Sequence, residues 1–149
     1  MKKQIASWIA TCGPVGHAKW APGTLGSMVG ILIVLFISKN SISFVGFIFL
    51  FFIAVWSSGE VARELHNHDP QVVVIDEVCG IIISFFLISP TWARVVTGFI
   101  CFRLFDILKP PPLRKFECFP GGLGIVLDDI GAGIYTNIVL QILVRYAHM

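Results

Sequence analysis

The sequence predicts an all-α fold: an integral membrane bundle of about four to five short hydrophobic helices, with polar loops converging on one face. Three observations carry this reading. Hydrophobic residues make up 56% of the 149 and charged residues only 13%, about half the ~25% of a soluble domain. With the 14 glycines the apolar share reaches about 65%, against roughly 45–50% on the same residue set. A chain of this length cannot hide that much apolar surface in one core, so the excess faces something other than water. The apolar residues also gather into runs, and the acids stay at the ends of those runs. The length is that of one domain, 1–149. The net charge of +2 offers no basic field for nucleic acid.

Within residues 1–12, Ile5, Trp8, Ile9 and Cys12 recur at i, i+3, i+4 and i+7, one face of a helix. Residues 3–11 read as a short amphipathic helix at the membrane surface, with Trp8 at the interface. The run after Met1-Lys2-Lys3 is too short and too polar for a signal peptide. Five apolar runs follow: Leu25–Ser38, Ser41–Ser57, Val78–Ser89, Trp92–Phe105 and Ile130–Val144. Fifteen helical residues reach roughly 22 Å, short of the ~30 Å hydrocarbon core. Only Ser41–Ser57 approaches the ~17-residue minimum for a span. An odd fifth run sends the C-terminus to the far side. Cys12, Cys79, Cys101 and Cys118 form no C-x-x-C pair and read as small core hydrophobes.

If the runs pair as hairpins, Lys39-Asn40 turns the first pair and Pro90–Arg94 the second. All nine acids then fall at the open ends, on one side: Glu60, Glu64, Asp69, Asp76, Glu77, Asp106, Glu117, Asp128 and Asp129. Eight cations share that side (Lys2, Lys3, Lys19, Arg63, Arg103, Lys109, Arg114 and Lys115), and Lys39, Arg94 and Arg145 lie opposite. The positive-inside rule makes the acid-rich face cytoplasmic.

Clustered carboxylates repel unless they are protonated or share a cation. Hard oxygen ligands suit Mg²⁺, which usually completes its shell with water and a substrate phosphate. Pro22-Gly23-Thr24-Leu25-Gly26-Ser27 reads as a Gly-rich turn opening a helix, where free N–H groups favour an anion; it also reads as a plain N-cap. A second turn, Gly121-Gly122-Leu123-Gly124, precedes Asp128-Asp129, which either cap the last helix or bind. Arg103, Asp106 and Lys109 lie along roughly one side of a helix ended by Pro110-Pro111-Pro112. They form either an ion-pair set or a ligand with two phosphate clamps. Asp69-Pro70 fits an N-cap with proline at N1. Asp76 and Glu77 point ~100° apart on a helix, so one ion takes both only if the backbone bends. Glu60, Arg63 and Glu64 read as a solvated helix end. His17, His66, His68 and His148 read as surface residues, with His66 or His68 near enough to Asp69 to carry a proton. No cysteine opens a C-x₅-R loop and no D-x-D motif occurs, which leaves metal-assisted hydrolysis among phosphatase chemistries.

Together Ala21-Pro22-Gly23-Thr24-Leu25-Gly26-Ser27, Asp69-Pro70 through Asp76-Glu77, Phe102-Arg103-Leu104-Phe105-Asp106-Ile107-Leu108-Lys109-Pro110, and Gly121-Gly122-Leu123-Gly124 with Asp128-Asp129-Ile130-Gly131-Ala132-Gly133 resemble the phosphatidylglycerophosphatase A family from about residue 13 to 140. The resemblance implies an all-helical, Mg²⁺-dependent lipid phosphatase of the bacterial inner membrane. Its substrate would be the phospholipid phosphatidylglycerophosphate, converted to phosphatidylglycerol. On this reading Asp76, Glu77, Asp128 and Asp129 hold Mg²⁺, with Asp69 and Asp106 as further ligands or orienting groups. Arg103 and Lys109 neutralise the phosphoryl group, and Gly23, Thr24 and Ser27 hold its oxygens. A small membrane transporter is the alternative class, because intramembrane acids also build ion pathways.

Overall fold

The computed structural model describes residues 1–37 and 44–146, apart from the Glu117 side chain. Its helices are α1 (Lys2–Ala10), α2 (Pro22–Ile37), α3 (Phe44–Leu65), α4 (Ile75–Ser84), α5 (Trp92–Leu108) and α6 (Gly122–Tyr146), with 3-10 turns at Val15–His17 and Leu113–Cys118. No strand occurs among the described residues. The proposed turn at Lys39-Asn40, and His148, lie outside them.

The centre of the bundle is α4. Ten residues reach only about 15 Å, and nearly all of them are buried. α2 and α6 pack on it most extensively, and α3 and α5 also touch it. The run Val78–Ser89 is therefore no lipid-exposed arm of a hairpin but a short helix enclosed by the others. Nor do α2 and α3 form a packed pair; α3 lies instead against α1 and α6.

Small residues make these crossings possible. A Cβ on Gly133 would strike the Gly80 carbonyl, and one on Gly80 would meet the Phe102 ring and the Asp129 carbonyl. α4 and α6 thus touch backbone to backbone. Gly30 seats α2 against Ile81 and Val78, and Gly122 seats α6 against Val55 and Gly59 of α3. Several polar side chains inside the bundle are paired with backbone carbonyls, although the buried Ser58 hydroxyl has no partner among the described residues. Ser84 and Thr136 donate to carbonyls one turn back, and Asn137 Nδ2 donates to Ser84 O (3.1 Å) and Phe86 O (2.8 Å). Asn137 thereby closes the open carbonyl end of α4.

The outward surface is apolar. Val96, Ile100, Leu104 and Leu108 of α5, Ile134, Ile138 and Ile142 of α6, and Phe44, Phe49 and Phe52 of α3 are all exposed. Exposed apolar stripes at helical spacing on several helices are what a bilayer solvates. α3 and α6 are long and apolar enough to cross one. α6 was expected to start near Ile130. It starts at Gly122 because Gly122 and Gly124 are packing residues, pressed on Val55 and on the Phe119 carbonyl, rather than a separate turn. On α1, Ala6 and Ala10 are fully buried while Ile5 and Trp8 are exposed. The alanines dock the helix and its large apolar residues face out, as a surface helix requires. All four cysteines are free; Cys79 is a buried core residue, Cys12 and Cys101 are half-buried, and Cys118 is exposed, contrary to the reading of all four as core hydrophobes.

Gly133→Ala should cost about 1–3 kcal/mol, the usual penalty of overpacking, read as a lower unfolding temperature in detergent. Ile138→Leu on the outward face should stay within about 0.5 kcal/mol. Equal effects would contradict the α4–α6 crossing.

Candidate active site

The N-terminal ends of α2, α4 and α6 and the C-terminal end of α5 converge on a cavity of about 700 Å³. Asp69, Asp76, Glu77, Asp106, Asp128, Asp129, Arg103, Lys109 and Gly23 line it. Residues far apart in sequence thus meet at one end of the bundle. Arg94 and Arg145 lie elsewhere, together on a second, smaller cavity with Leu87 and Gln141. Glu60 and Arg63 pair at 2.9 Å away from the main cavity, so that helix end is the solvated one anticipated.

Two sets of three carboxylates stand out. Asp76, Glu77 and Asp129 each offer an oxygen within 4.8 Å of the others, and so do Asp106, Asp128 and Asp129. Asp129 belongs to both. Asp76, Asp128 and Asp129 are buried. No bend in α4 is needed to bring Asp76 and Glu77 together, contrary to the sequence expectation. Both lie in its first turn, where the Glu77 N–H donates to Asp76 Oδ1 (3.0 Å), and the longer glutamate side chain reaches across.

That reach depends on α2. A Cβ at Gly23 would collide with Glu77 Oε1, and one at Gly26 would stand 3.1 Å from Glu77 Oε2. The glycines of this segment therefore make room for a carboxylate beside the positive end of a helix. The sequence reads residues 22–27 either as a phosphate-holding turn or as a plain N-cap; the structure adds the seating of Glu77 and removes Thr24 and Ser27 from the cavity lining. α2 already begins at Pro22. Gly23 lines the cavity but Thr24 and Ser27 do not. The Ser27 hydroxyl is fully buried and donates to the Gly23 carbonyl (2.9 Å), so it has no phosphate to hold.

Arg103 joins α5 to the cluster, 2.9 Å from Asp106 Oδ2 and 3.8 Å from Glu77 Oε1. Lys109 pairs with Asp128. It does not continue the helical side shared by Arg103 and Asp106, because it adopts a left-handed conformation (φ 45°) as the C-cap of α5; Pro110 bars a further turn. Asp128 and Asp129 do not cap α6, since they lie about two turns inside it. Asp69 is not an N-cap either. α4 starts at Ile75 without a side-chain cap; Val73 and Val74 before it are buried, the Val73 N–H donates to Pro70 O (2.9 Å) and the Val74 N–H to Ala10 O (2.8 Å). Asp69 is exposed on the cavity rim and outside both carboxylate sets. His68 also lines the rim and His66 does not. Lys19 lines the cavity too; in the sequence it stood out only as one of the cations on that side.

Asp76 and Glu77 lie on α4, outside the spanning helices. Burial pushes both carboxyls above the ordinary range; hydrogen bonds from Glu77 pull Asp76 part of the way back, whereas the charge and hydrogen bond of Asp76 raise Glu77 further, and Arg103 lowers Glu77 only in part. Glu77 Oε2 is buried with no hydrogen-bond partner among the described residues. An all-oxygen donor set, crowded carboxylates and an orphaned buried oxygen fit a hard divalent cation.

The fold and site define a class: a helical protein with lipid-facing sides, whose polar end gathers carboxylates and cations suited to a phosphate and a divalent ion. Within that class the chain belongs to the phosphatidylglycerophosphatase A family, whose model matches residues 8–144. A Haemophilus influenzae protein named phosphatidylglycerophosphatase A is 38% identical over 129 residues, covering 80% of this chain and 77% of its own. The Escherichia coli protein of that name is 34% identical over 130 residues, covering 84% and 75%. A Bacteroides thetaiotaomicron protein named "Putative phosphatidylinositol-3-phosphatase" is 31% identical over 137 residues, covering 85% and 86%. No solved structure matches the chain.

Asp129→Asn removes one charge from both carboxylate sets. It should raise the unfolding temperature of the protein in EDTA and abolish the further rise that Mg²⁺ gives the wild type. A wild-type gain of about 2.7 kcal/mol is expected at a hundredfold excess of Mg²⁺ over its Kd. Calorimetry in detergent checks both, and an undiminished Mg²⁺ response in the variant would contradict the ligand role.

Proposed function

We propose that this chain is the phosphoric monoester hydrolase that converts phosphatidylglycerophosphate to phosphatidylglycerol and phosphate, with Mg²⁺, on the cytoplasmic face of the bacterial inner membrane. The observation that carries the reading is the meeting of the five carboxylates of the two sets with Arg103 and Lys109 in one cavity at the polar end of an apolar-sided bundle. Family membership supports the substrate. The cations that the sequence pattern assigns to the acid-rich end, of which Lys19, Arg103 and Lys109 line the cavity, support the cytoplasmic orientation.

Asp76, Glu77 and Asp129 would hold one ion, and Asp106, Asp128 and Asp129 form a second set able to do so. The chemistry such an ion supplies is Lewis-acid polarisation of the phosphoryl oxygens and acidification of water. The protein does the rest. Arg103, oriented by Asp106 and Glu77, aims its guanidinium at the charge that grows on the phosphoryl group. Lys109, fixed by Asp128, adds a second positive charge from the end of α5. The helix starts of α2 and α6 turn their positive poles to the same space. Val73 and Ile125 on the cavity wall limit water beside the buried carboxylates. His68, on the rim next to Asp69, is placed to return a proton to the departing glycerol oxygen. The acyl chains remain in the bilayer against the outward apolar stripes.

The transporter alternative is disfavoured because the cavity carboxylates gather at one end of the bundle and the opposite cavity is lined by Arg94 and Arg145. The name of the Bacteroides relative makes phosphoinositides a second substrate class to test.

Phosphate release from a lipid panel should be fastest with phosphatidylglycerophosphate in Mg²⁺ and absent in EDTA. Asp76→Asn and Asp129→Asn should each lower kcat at least about 100-fold, the scale of losing one electrostatic element of a site. Arg103→Ala should cost about 10²-fold or more on the same grounds. Faster release from a 3-phosphoinositide would move the assignment to that lipid. Wild-type rates in both aspartate variants would overturn it.

A further inference from the structure

The proposed substrate carries two phosphates, and charge accounting in the cavity separates them. The reacting monoester belongs with the carboxylate sets and their ions. The phosphodiester that links the headgroup to the acyl glycerol carries its own negative charge and must sit at the cavity mouth, where the lipid leaves for the bilayer. Both inner cations are already engaged: Arg103 with Asp106 and Glu77, and Lys109 with Asp128. Lys19 differs. It lines the same cavity, is exposed, and makes no ion pair among the described residues.

Its place is set by the backbone. Gly16 is buried so tightly that a Cβ would collide with the Val72 carbonyl, and its N–H donates to Thr11 O (2.8 Å). This pins the segment that leads into Lys19. Ala21, with φ 44°, then turns the chain sharply into α2. Trp20, between them, is 86% exposed. An exposed tryptophan beside a lysine is the pairing found at the headgroup level of a bilayer. A lipid phosphodiester lies at that level.

We infer that Lys19 forms a second phosphate subsite, which binds the phosphodiester of the lipid while the monoester reacts deeper in the cavity. The inference rests on the phosphatase reading above and extends it from the reaction to the recognition of the headgroup. Lys19 is a binding residue remote from the reacting atoms. Its contact is the same in ground and transition states, so its loss appears in KM.

The test uses full-length protein in mixed micelles, with phosphatidylglycerophosphate as substrate and inorganic phosphate as competing inhibitor. Wild-type hydrolysis is measured first; none at all overturns the phosphatase reading, and this subsite with it. Lys19→Gln is then expected to raise KM about tenfold, the scale of one lost charge-assisted hydrogen bond, with kcat changed less than about twofold. The inhibition constant of inorganic phosphate, which reports the reacting site, should not follow KM, and Lys19→Arg should recover most of the loss. A KM equal to that of the wild type overturns the subsite. So does a fall in kcat at constant KM, or a rise in the inhibition constant in proportion to KM, either of which would place Lys19 at the reacting phosphate.

Discussion

Everything in this molecule is arranged around one unfavourable interaction. Five carboxylates from α4, α5 and α6 share one cavity, and three of them are buried. Like charges so placed repel, and each also loses hydration. A protein keeps such an array only if something compensates it. Arg103 and Lys109 compensate part. The buried Glu77 oxygen without a partner among the described residues marks where that compensation stops; in the function proposed above, a hard cation and a phosphate would supply the rest.

The scaffold serves that array through what it omits. Gly23 and Gly26 clear the space that the Glu77 carboxylate occupies, and Gly80 and Gly133 let α4 and α6 cross backbone to backbone. The second crossing brings Asp129 of α6 up to Asp76 and Glu77 of α4. Glycine thus acts here mainly by absence of volume, which sets helix spacing to the reach of a carboxylate. The apolar stripes on the outer faces of α3, α5 and α6 have a separate task. They suit contact with lipid; in the function proposed above they would hold the cavity end at the bilayer surface, with the headgroup in the cavity and its chains in hydrocarbon.

Much of this was legible in the sequence. Composition demanded a nonaqueous surrounding, and the confinement of acids to run ends foretold one polar end. Pro110 marked the end of α5. Three things were hidden, each for a physical reason. Gly121–Gly124 looked like a turn because glycine breaks isolated helices, yet packing of Gly122 against α3 and of Gly124 against the Phe119 carbonyl drew both into α6 and carried Asp128-Asp129 inside it. Val78–Ser89 read as one arm of a hairpin because hydropathy cannot distinguish lipid contact from burial by other helices; only the packing of α2, α3, α5 and α6 around α4 shows the burial. Ser27 looked like a phosphate ligand because local spacing does not reveal that a hydroxyl turns back to its own helix. Lys19 carried no motif at all, and only the closure of the chain around the cavity gives it meaning.

As proposed above, these carboxylates are held together to bind a divalent ion beside a phosphate. Electron paramagnetic resonance of Mn²⁺ added to the protein in lipid nanodiscs tests it most directly. The account predicts tightly bound Mn²⁺ that Mg²⁺ displaces, with coupling to phosphorus once inorganic phosphate is added. Absence of bound Mn²⁺, or binding that persists unchanged when Asp76 and Asp129 are both replaced by asparagine, would contradict it.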